Sequence, residues 1–259
     1  MSTKSLHKRT NLKELLGSLP RGRPVTSRQL EARGISRQLA HRYVRSGWLE
    51  SLGYGYYLRL GDSLTQTGAV AALQSQGVPV HIGGRTALAL RGLVHYLPLG
   101  KEKLFLYGAP RKSLPEWFLQ KFPTDTRVAR MFREGEKPEE RLFVSSLESD
   151  EPASPLTADP ERALLEMLDD VPQKQNLEDA KKIMEPLFTL RPEVMQTLLE
   201  ACTRIKVKRL FHLLAEQLRL PVLDALKLER IDFGAPSAYV LSLQEESLVL
   251  KHPGSKGHG

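Results

Sequence analysis

Apolar residues at helical spacing open the chain and predict its first helix. Leu12, Leu15, Leu16 and Leu19 fall on one helical face, and Pro20 ends the run. A single apolar stripe is typical of a helix that packs one face against a core. We therefore expect the segments that follow to cover this stripe.

Signals for two more helices and a hairpin come next. Thr26 is suited to cap a short helix that contains Leu30, and Ser36 is suited to cap a helix that runs to about residue 46. Gly34 separates the two helices. From Trp48 to Leu60 the pattern changes to two short, aromatic-rich strands around glycines. The order helix, helix, glycine turn, helix, hairpin predicts a winged helix-turn-helix.

The rest of the chain predicts a larger, mainly helical region with a small sheet. Helical patterns cover residues 66–76, 86–90, 160–168, 177–187, 192–202 and 208–218. Strand patterns cover 103–107 and 141–145, with a short strand within 78–93 and an extended segment at 233–240. The acidic, proline-rich stretch 148–155 predicts an exposed loop. We expect an α+β protein with a winged helix-turn-helix domain at 1–62, a C-terminal domain at 63–250 and a disordered tail at 251–259.

The third predicted helix separates polar from apolar side chains. At about 100° per residue, one face carries only Arg, Gln and His, and the other is apolar. The polar face holds Arg37, Gln38, His41, Arg42 and Arg45, opposite Leu39, Ala40, Tyr43 and Val44. Arg can bind guanine and Gln can bind adenine through paired hydrogen bonds. A solvated face is the alternative, but such faces usually mix signs, and residues 34–49 contain no acid.

The basic charge is concentrated in the same region. The chain has a net charge of +8; residues 1–60 hold twelve Lys/Arg against three Asp/Glu, and the remainder is close to neutral. A local positive field suits a polyanion, although a basic segment without a partner is the alternative. Further DNA contacts are expected in the loop before the second helix, around that helix and in the wing: Arg21, Arg23, Arg28, Ser36, Tyr54, Tyr56 and Arg59.

Motifs that carry chemistry are few. No paired Cys/His spacing, dinucleotide fingerprint or phosphate loop occurs, so no metal, cofactor or enzyme activity is expected. Gly83-Gly84 precedes a helix and could hold an anion, but a tight turn is the favoured interpretation. A lone Cys202, a polar N-terminus and the lack of a long apolar run predict a cytoplasmic protein without disulfides or membrane spans.

Several short motifs carry a resemblance to a known family. They are the 26–60 segment, then His81-Ile82-Gly83-Gly84-Arg85-Thr86-Ala87-Leu88 leading to Arg91-Gly92-Leu93, Pro160-Glu161-Arg162-Ala163-Leu164-Leu165-Glu166, Val207-Lys208-Arg209-Leu210-Phe211 and Ile231-Asp232-Phe233-Gly234. In this order they resemble the antitoxins of the abortive-infection AbiE type (AbiEi), a type IV toxin–antitoxin family. The 148–155 stretch departs from the family pattern.

The resemblance implies two roles. The N-terminal domain would bind inverted repeats in its own promoter as cooperating monomers and repress the operon. The C-terminal domain would neutralise a nucleotidyltransferase-like toxin without a stable complex. The positively charged antitoxin surface of the family would correspond here to Lys181, Lys182, Arg204, Lys206, Lys208 and Arg209. The alternative for these six residues is that they are ordinary helix-flanking charges.

Two other functions stay open on the sequence alone. One is a winged-helix regulator whose C-terminal domain senses a small ligand or mediates association. The other is an enzyme tethered to DNA, which the lack of a catalytic constellation disfavours.

Overall fold

The computed structural model describes residues 16–94, 103–135, 140–147, 154–243 and 247–253. They group into two compact units. The first unit contains the described residues of Met1–Val78, Arg111–Phe122 and Glu148–Pro155. The second unit contains those of Pro79–Pro110, Pro123–Leu147 and Leu156–Gly259. Both units combine helices with a small sheet, so the expected α+β class is confirmed.

The first unit places two short helices beside a three-stranded antiparallel sheet. Its strands are β1 (Val25–Thr26), β2 (Leu49–Gly53) and β3 (Tyr56–Arg59), in the order β1-β3-β2. Between β1 and β2 the chain forms α1 (Ser27–Ala32) and α2 (Arg37–Arg45). β2 and β3 pair as a hairpin, as the two aromatic-rich segments around glycines predict.

Side-chain caps fix the starts of α1 and α2. Thr26 Oγ1 accepts the Gln29 N–H at 3.2 Å, and the Gln29 side chain accepts the Thr26 N–H at 2.9 Å. This reciprocal pair is a capping box. Ser36 Oγ accepts the Leu39 N–H at 3.3 Å. Such caps contribute about 1 kcal/mol each, and both predicted capping residues are confirmed.

A small apolar core holds these elements together. Its buried members come from both helices, all three strands and the connecting loops: Leu19, Val25, Leu30, Ile35, Ala40, Leu49 and Tyr57. Leu16 packs against this core. Of the first predicted helix, residues 12–15 lie outside the described residues, and residues 16–18 are helical. A longer helix, α3 (Gln66–Ser75), follows β3 and also belongs to the first unit.

The second unit is built on a five-stranded mixed sheet. Its strands are β4 (His81–Ile82), β5 (Leu104–Tyr107), β6 (Thr124–Arg127), β7 (Val144–Ser146) and β8 (Leu156–Ala158), in the order β6-β5-β4-β8-β7. The β5/β6 and β4/β8 pairs are parallel, and the β4/β5 and β7/β8 pairs are antiparallel. β7 begins three residues later than predicted, after Phe143, whose φ is +53°.

α-Helices complete the second unit, and the last of them ends at Gln217. They are α4 (Gly84–Leu90), α6 (Pro160–Asp169), α7 (Leu177–Met184), α8 (Pro192–Ala201) and α9 (Ile205–Gln217), while α5 (Glu116–Lys121) belongs to the first unit. A hairpin of β9 (Tyr239–Ser242) and β10 (Ser247–Leu250) follows, where only an extended segment at 233–240 was predicted. Residues 148–153 of the predicted loop and 254–259 of the predicted tail lie outside the described residues.

Helix α5 joins the first unit although it is distant in sequence. Trp117 and Phe118 of α5 are buried, and the Trp117 ring lies 5.1 Å from the ring of Tyr56 in β3. The first unit is therefore not one continuous stretch. Residue 62, the predicted domain boundary, falls inside it, and the assignment of functional domains stays a prediction. Among the helices that the structure describes, none is long and apolar enough to cross a membrane.

Candidate nucleic-acid interface

The polar face of α2 is exposed along its length. All five side chains predicted there are exposed: Arg37, Gln38, His41, Arg42 and Arg45. On the opposite face Ala40 is buried and its apolar neighbours pack against the core. A helix with its side chains is about 10–12 Å in diameter, which fits a major groove about 12 Å wide.

The carboxylate of Glu31 in α1 lies beside this face. This contact was not predicted from the sequence. The Glu31 Oε1 atom accepts a hydrogen bond from Arg37 Nε at 3.1 Å. The side chain of Glu31 is 44% exposed and that of Arg37 is 75% exposed. Such an exposed pair contributes about 0–1 kcal/mol, so it orients Arg37 more than it stabilises the fold. The turn at Gly34, which brings α1 back to the start of α2, is the sequence signal that could have indicated the pair.

A groove of about 790 Å³ lies between α1, α2 and the β2–β3 hairpin. Its lining includes four of the predicted site residues, Arg28, Arg37, His41 and Tyr54, together with Glu31. The structure therefore brings residues of the predicted recognition helix and the predicted wing to one surface of the first unit.

The tip of the hairpin is a strained two-residue turn. Gly53 pairs with Tyr56, which leaves Tyr54 and Gly55 as the loop, and both have positive φ, +52° and +76°. Two positive φ values indicate a type I′ turn, which Asn and Gly favour at these positions. A non-glycine residue in this conformation costs about 1–3 kcal/mol. Tyr54 is 79% exposed, so burial of its ring does not offset that cost.

Tyr56 and Arg59, which were also predicted to contact DNA from the wing, are less exposed than Tyr54. Tyr56 is only 5% exposed, and burial raises the pKa of its phenol. Its burial against Trp117 contradicts the expected contact of its hydroxyl with DNA. Arg59 is half-buried, and its guanidinium donates to the carbonyl of Leu16 at 3.5 Å. Tyr54 projects from the turn into solvent, whereas Tyr56 in β3 faces the aromatic ring of Trp117 in α5.

The remaining predicted DNA contacts differ in exposure. Arg21 and Arg28 are exposed, and Arg23 is half-buried. The Ser36 hydroxyl accepts the cap hydrogen bond of α2, and its residue is exposed. Arg21, Arg28 and Ser36 are therefore accessible to a partner, and their contact with DNA stays a prediction.

The six cations expected on an antitoxin surface do not form one exposed patch. Lys208 and Arg209 of α9 are 1% and 3% exposed, which contradicts their expected surface position. Lys208 donates to the carbonyl of Asp232 at 2.7 Å, and burial lowers the pKa of its ammonium. Lys206 donates to the carbonyl of Val171 at 2.9 Å. The set that stays accessible is Lys181, which is partly exposed, with Lys182 and Arg204, which are exposed.

Arg209 is a structural residue of the second unit. Its guanidinium donates to the carbonyls of Phe233 at 2.8 Å, Ser237 at 2.7 Å and Leu250 at 3.3 Å, and also to that of Ala235. One buried cation thus holds the segment after α9 and the end of β10 against that helix. Its immediate sequence neighbours are Lys208 and Leu210, and no local pattern indicated its burial.

A buried network of charged side chains lies next to β4. Glu166 of α6 accepts from Arg162 Nε at 2.8 Å and lies 2.9 Å from His81 Nε2. Arg162 also binds Glu134 through two nitrogens, at 2.6 and 2.8 Å. Arg141 lies 2.6 Å from Nδ1 of His81. Because a guanidinium only donates, Nδ1 accepts, and the ring is neutral with its proton on Nε2.

The pKa directions agree with this arrangement. Burial lowers the pKa of His81, and the cations Arg162 and Arg141 lower it further against the opposing pull of Glu166. Burial favours the protonated form of Glu166, but the charge of Arg162 and the hydrogen bonds from His81 and Arg162 outweigh it, so the pKa of Glu166 is lowered. The ring is neutral and the carboxylate is ionised at neutral pH.

The network explains the two glycines at the start of α4. The Gly84 N–H donates to Glu166 Oε2 at 3.0 Å, and a Cβ at Gly83 would collide with the same oxygen. The anion at this turn is therefore a carboxylate of the chain itself. A cavity of about 330 Å³ opens beside the network, and within the described residues every charged side chain that lines it has a partner. Such internal pairing is typical of a polar core.

The family comparisons assign the chain to the transcriptional regulators. Residues 8–99 match the model described as "Transcriptional regulator, AbiEi antitoxin N-terminal domain". Residues 101–250 match "Transcriptional regulator, AbiEi antitoxin, Type IV TA system". The two matches together span most of the sequence, and the chain belongs to the AbiEi antitoxin family of type IV toxin–antitoxin systems. The resemblance drawn from the sequence motifs is confirmed.

A solved structure shares the fold. The crystal structure of the RV2827C protein from Mycobacterium tuberculosis aligns with a TM-score of 0.52 over 83% of this chain and 80% of that chain, at 18% sequence identity. At this identity the likeness concerns the fold alone. No curated protein matches the sequence.

Proposed function

We propose that this chain is an antitoxin that represses its own operon through a winged helix-turn-helix in its first unit. In this proposal α2 enters the major groove of double-stranded DNA, and the β2–β3 hairpin is the wing. The target is a pair of inverted repeats in the chain's own promoter, bound by cooperating monomers. The element order and the three-stranded sheet support this assignment.

The observation that carries the proposal is the exposed face of α2, which contains Arg, Gln and His and no acid. The surroundings of the helix agree in sign: the described residues of the first unit hold eleven Lys/Arg against four Asp/Glu. Phosphate contacts from such a surface give affinity that depends on salt. Paired contacts from Arg to guanine give about 1–3 kcal/mol of discrimination each.

Removal of two arginines from α2 tests the DNA-binding role. The variant Arg42→Ala/Arg45→Ala of the full chain should bind a duplex from the region upstream of its own gene at least about 30-fold more weakly, about 2 kcal/mol. Fluorescence anisotropy measures this loss. Lys227→Ala removes an exposed cation of the second unit and is the matched control. Equal affinity of the double variant and the wild type would refute the assignment of α2.

We further propose that the C-terminal part neutralises a nucleotidyltransferase-like toxin without a stable complex. The membership of the chain in the antitoxin family supports this role, and the accessible cations Lys181, Lys182 and Arg204 are the candidate surface. Neither a cofactor nor catalysis by this chain is part of the proposal.

Growth of cells that express the neighbouring toxin gene tests the second role. The full chain should restore growth, and Lys181→Ala/Lys182→Ala/Arg204→Ala should restore it less while retaining DNA binding. The Arg42→Ala/Arg45→Ala variant, produced from a foreign promoter, should still restore growth. Loss of rescue in that variant would show that the two roles are not separable, and no rescue by the wild type would refute the antitoxin role.

A further inference from the structure

The 111–122 segment brings cations to the tip of the proposed wing. Its first turn, Arg111–Ser113, is a 3₁₀ helix, and Arg111 and Lys112 are exposed. An open groove of about 820 Å³ is lined by Tyr54 of the hairpin tip and by this segment, including both cations. We call Tyr54, Arg111 and Lys112 the tip patch.

Buried aromatic side chains fix the position of the tip patch. Trp117 and Phe118 of α5 are 6% and 0% exposed, and Leu114 between the cations and α5 is 5% exposed. Trp117 packs on Tyr56, two residues after Tyr54. The backbone that carries the cations is therefore held beside the hairpin by packing within the first unit, so that binding a partner orders the side chains and not this backbone.

We infer that the tip patch is a second DNA-contact surface, which binds the phosphate backbone next to the site read by α2; this inference rests on the proposed DNA-binding function. Lys and Arg bind phosphate through charge, and a Tyr hydroxyl donates to a phosphate oxygen. The groove holds two cations, Arg111 and Lys112, against one acid, Glu116, whose carboxylate accepts from Gln120 at 3.0 Å.

The strained turn is an independent observation in the same place. Folding alone favours Asn or Gly at the position of Tyr54, where φ is +52°. The tyrosine keeps 79% of its surface exposed and lines the same groove as the cations. A side chain that costs folding free energy and projects into solvent beside two cations fits a role in binding.

Salt dependence tests the inference. The full-length variant Arg111→Ala/Lys112→Ala is compared with the wild type on the upstream duplex and on a random-sequence duplex, because phosphate contacts act on both. The slope of log affinity against log salt should fall in magnitude by about 1–2, since each lost phosphate contact removes about 0.9. Tyr54→Asn should weaken binding and raise the midpoint of thermal unfolding by about 2–4 °C.

The control is Lys121→Ala, which removes an exposed cation of the same segment outside the groove and should leave the slope unchanged. An unchanged slope in Arg111→Ala/Lys112→Ala, while Arg42→Ala/Arg45→Ala loses affinity, would overturn the tip patch and retain the proposed function. Unchanged DNA binding with lost rescue from the toxin would assign the patch to a protein partner and also overturn it. Failure of the wild type to bind either duplex would overturn both.

Discussion

Trp117 offers a direct test of how the first unit is assembled. This side chain belongs to α5, yet its ring packs on Tyr56 of β3 and on Phe118. We expect Trp117→Ala to destabilise the first unit selectively. The second unit, in which the sequence neighbours of α5 lie, should keep its stability.

The magnitude follows from the burial of the ring. Trp117 is 6% exposed, so nearly all of the roughly 150–250 Å² of a buried aromatic side chain is removed from water. At about 25 cal/mol per Å² this contributes about 4–6 kcal/mol, and truncation of a buried aromatic residue to Ala costs about 3–5 kcal/mol. We expect a loss of about 3–5 kcal/mol in the free energy of unfolding of the first unit.

Trp117→Phe should cost much less. Within the described residues the Trp117 Nε1 atom is buried without a hydrogen-bond partner, which costs about 1–3 kcal/mol. Phenylalanine loses part of the ring contact but also removes that unsatisfied donor. The two effects oppose each other, and we expect a net change below about 1–2 kcal/mol.

Amide hydrogen exchange of the full chain, followed by mass spectrometry, separates the two units. In Trp117→Ala, peptides from α2 and β3 should exchange faster by on the order of 10²–10³-fold, while peptides from α6 and α9 keep their rates. Trp48→Ala is the control, because Trp48 is 46% exposed in the same unit. Acceleration confined to the second unit, or equal in both, would refute the placement of α5 in the first.

Two more predictions concern the second unit. Because burial lowers the pKa of His81 below its usual 6.5, the unfolded chain binds more protons below that pH, and the free energy of unfolding falls as the pH drops below 6.5. In urea unfolding, His81→Gln should reduce this loss of stability, and the control His41→Gln, at an exposed residue, should not. Because burial also lowers the pKa of His212, some dependence of stability on pH should remain in His81→Gln. A loss that is not reduced in His81→Gln would contradict the neutral ring. Arg209→Leu removes the donor from the two buried carbonyls of Phe233 and Leu250 and from two partly buried ones, and at about 1–3 kcal/mol for each buried carbonyl it should cost about 2–6 kcal/mol. Amide exchange in the β9–β10 hairpin should be faster; unchanged exchange there would contradict the anchoring role.

Local signals predicted much of the first unit. Thr26 and Ser36 act within three residues of their own position, so their capping role can be recognised without knowledge of the fold. The two faces of α2 follow from helical periodicity alone. The contact between Glu31 and Arg37 depends on the path of one glycine turn, which periodicity does not describe.

Long-range partners set the limit of the sequence argument. Arg209 was assigned to a surface because it is charged, but its carbonyl partners come from residues 233–250. The burial of Arg162 and Glu166 depends on His81 and Glu134, which lie on other elements. No pattern within a helix indicates such partners. For the same reason, the sequence did not predict that α5 belongs to the first unit.

The interrupted course of the first unit affects the timing of its synthesis. After residue 78 the ribosome must add the residues up to Phe122 before α5 can cover Tyr56. At about 5–20 residues per second this delay lasts roughly 2–9 s. During that interval the emerging chain has its helices and hairpin but lacks the aromatic contact that completes their packing. Nascent chains shorter than this therefore lack the contact of Trp117 with Tyr56, and a message broken before the codon for Trp117 would yield a first unit without it.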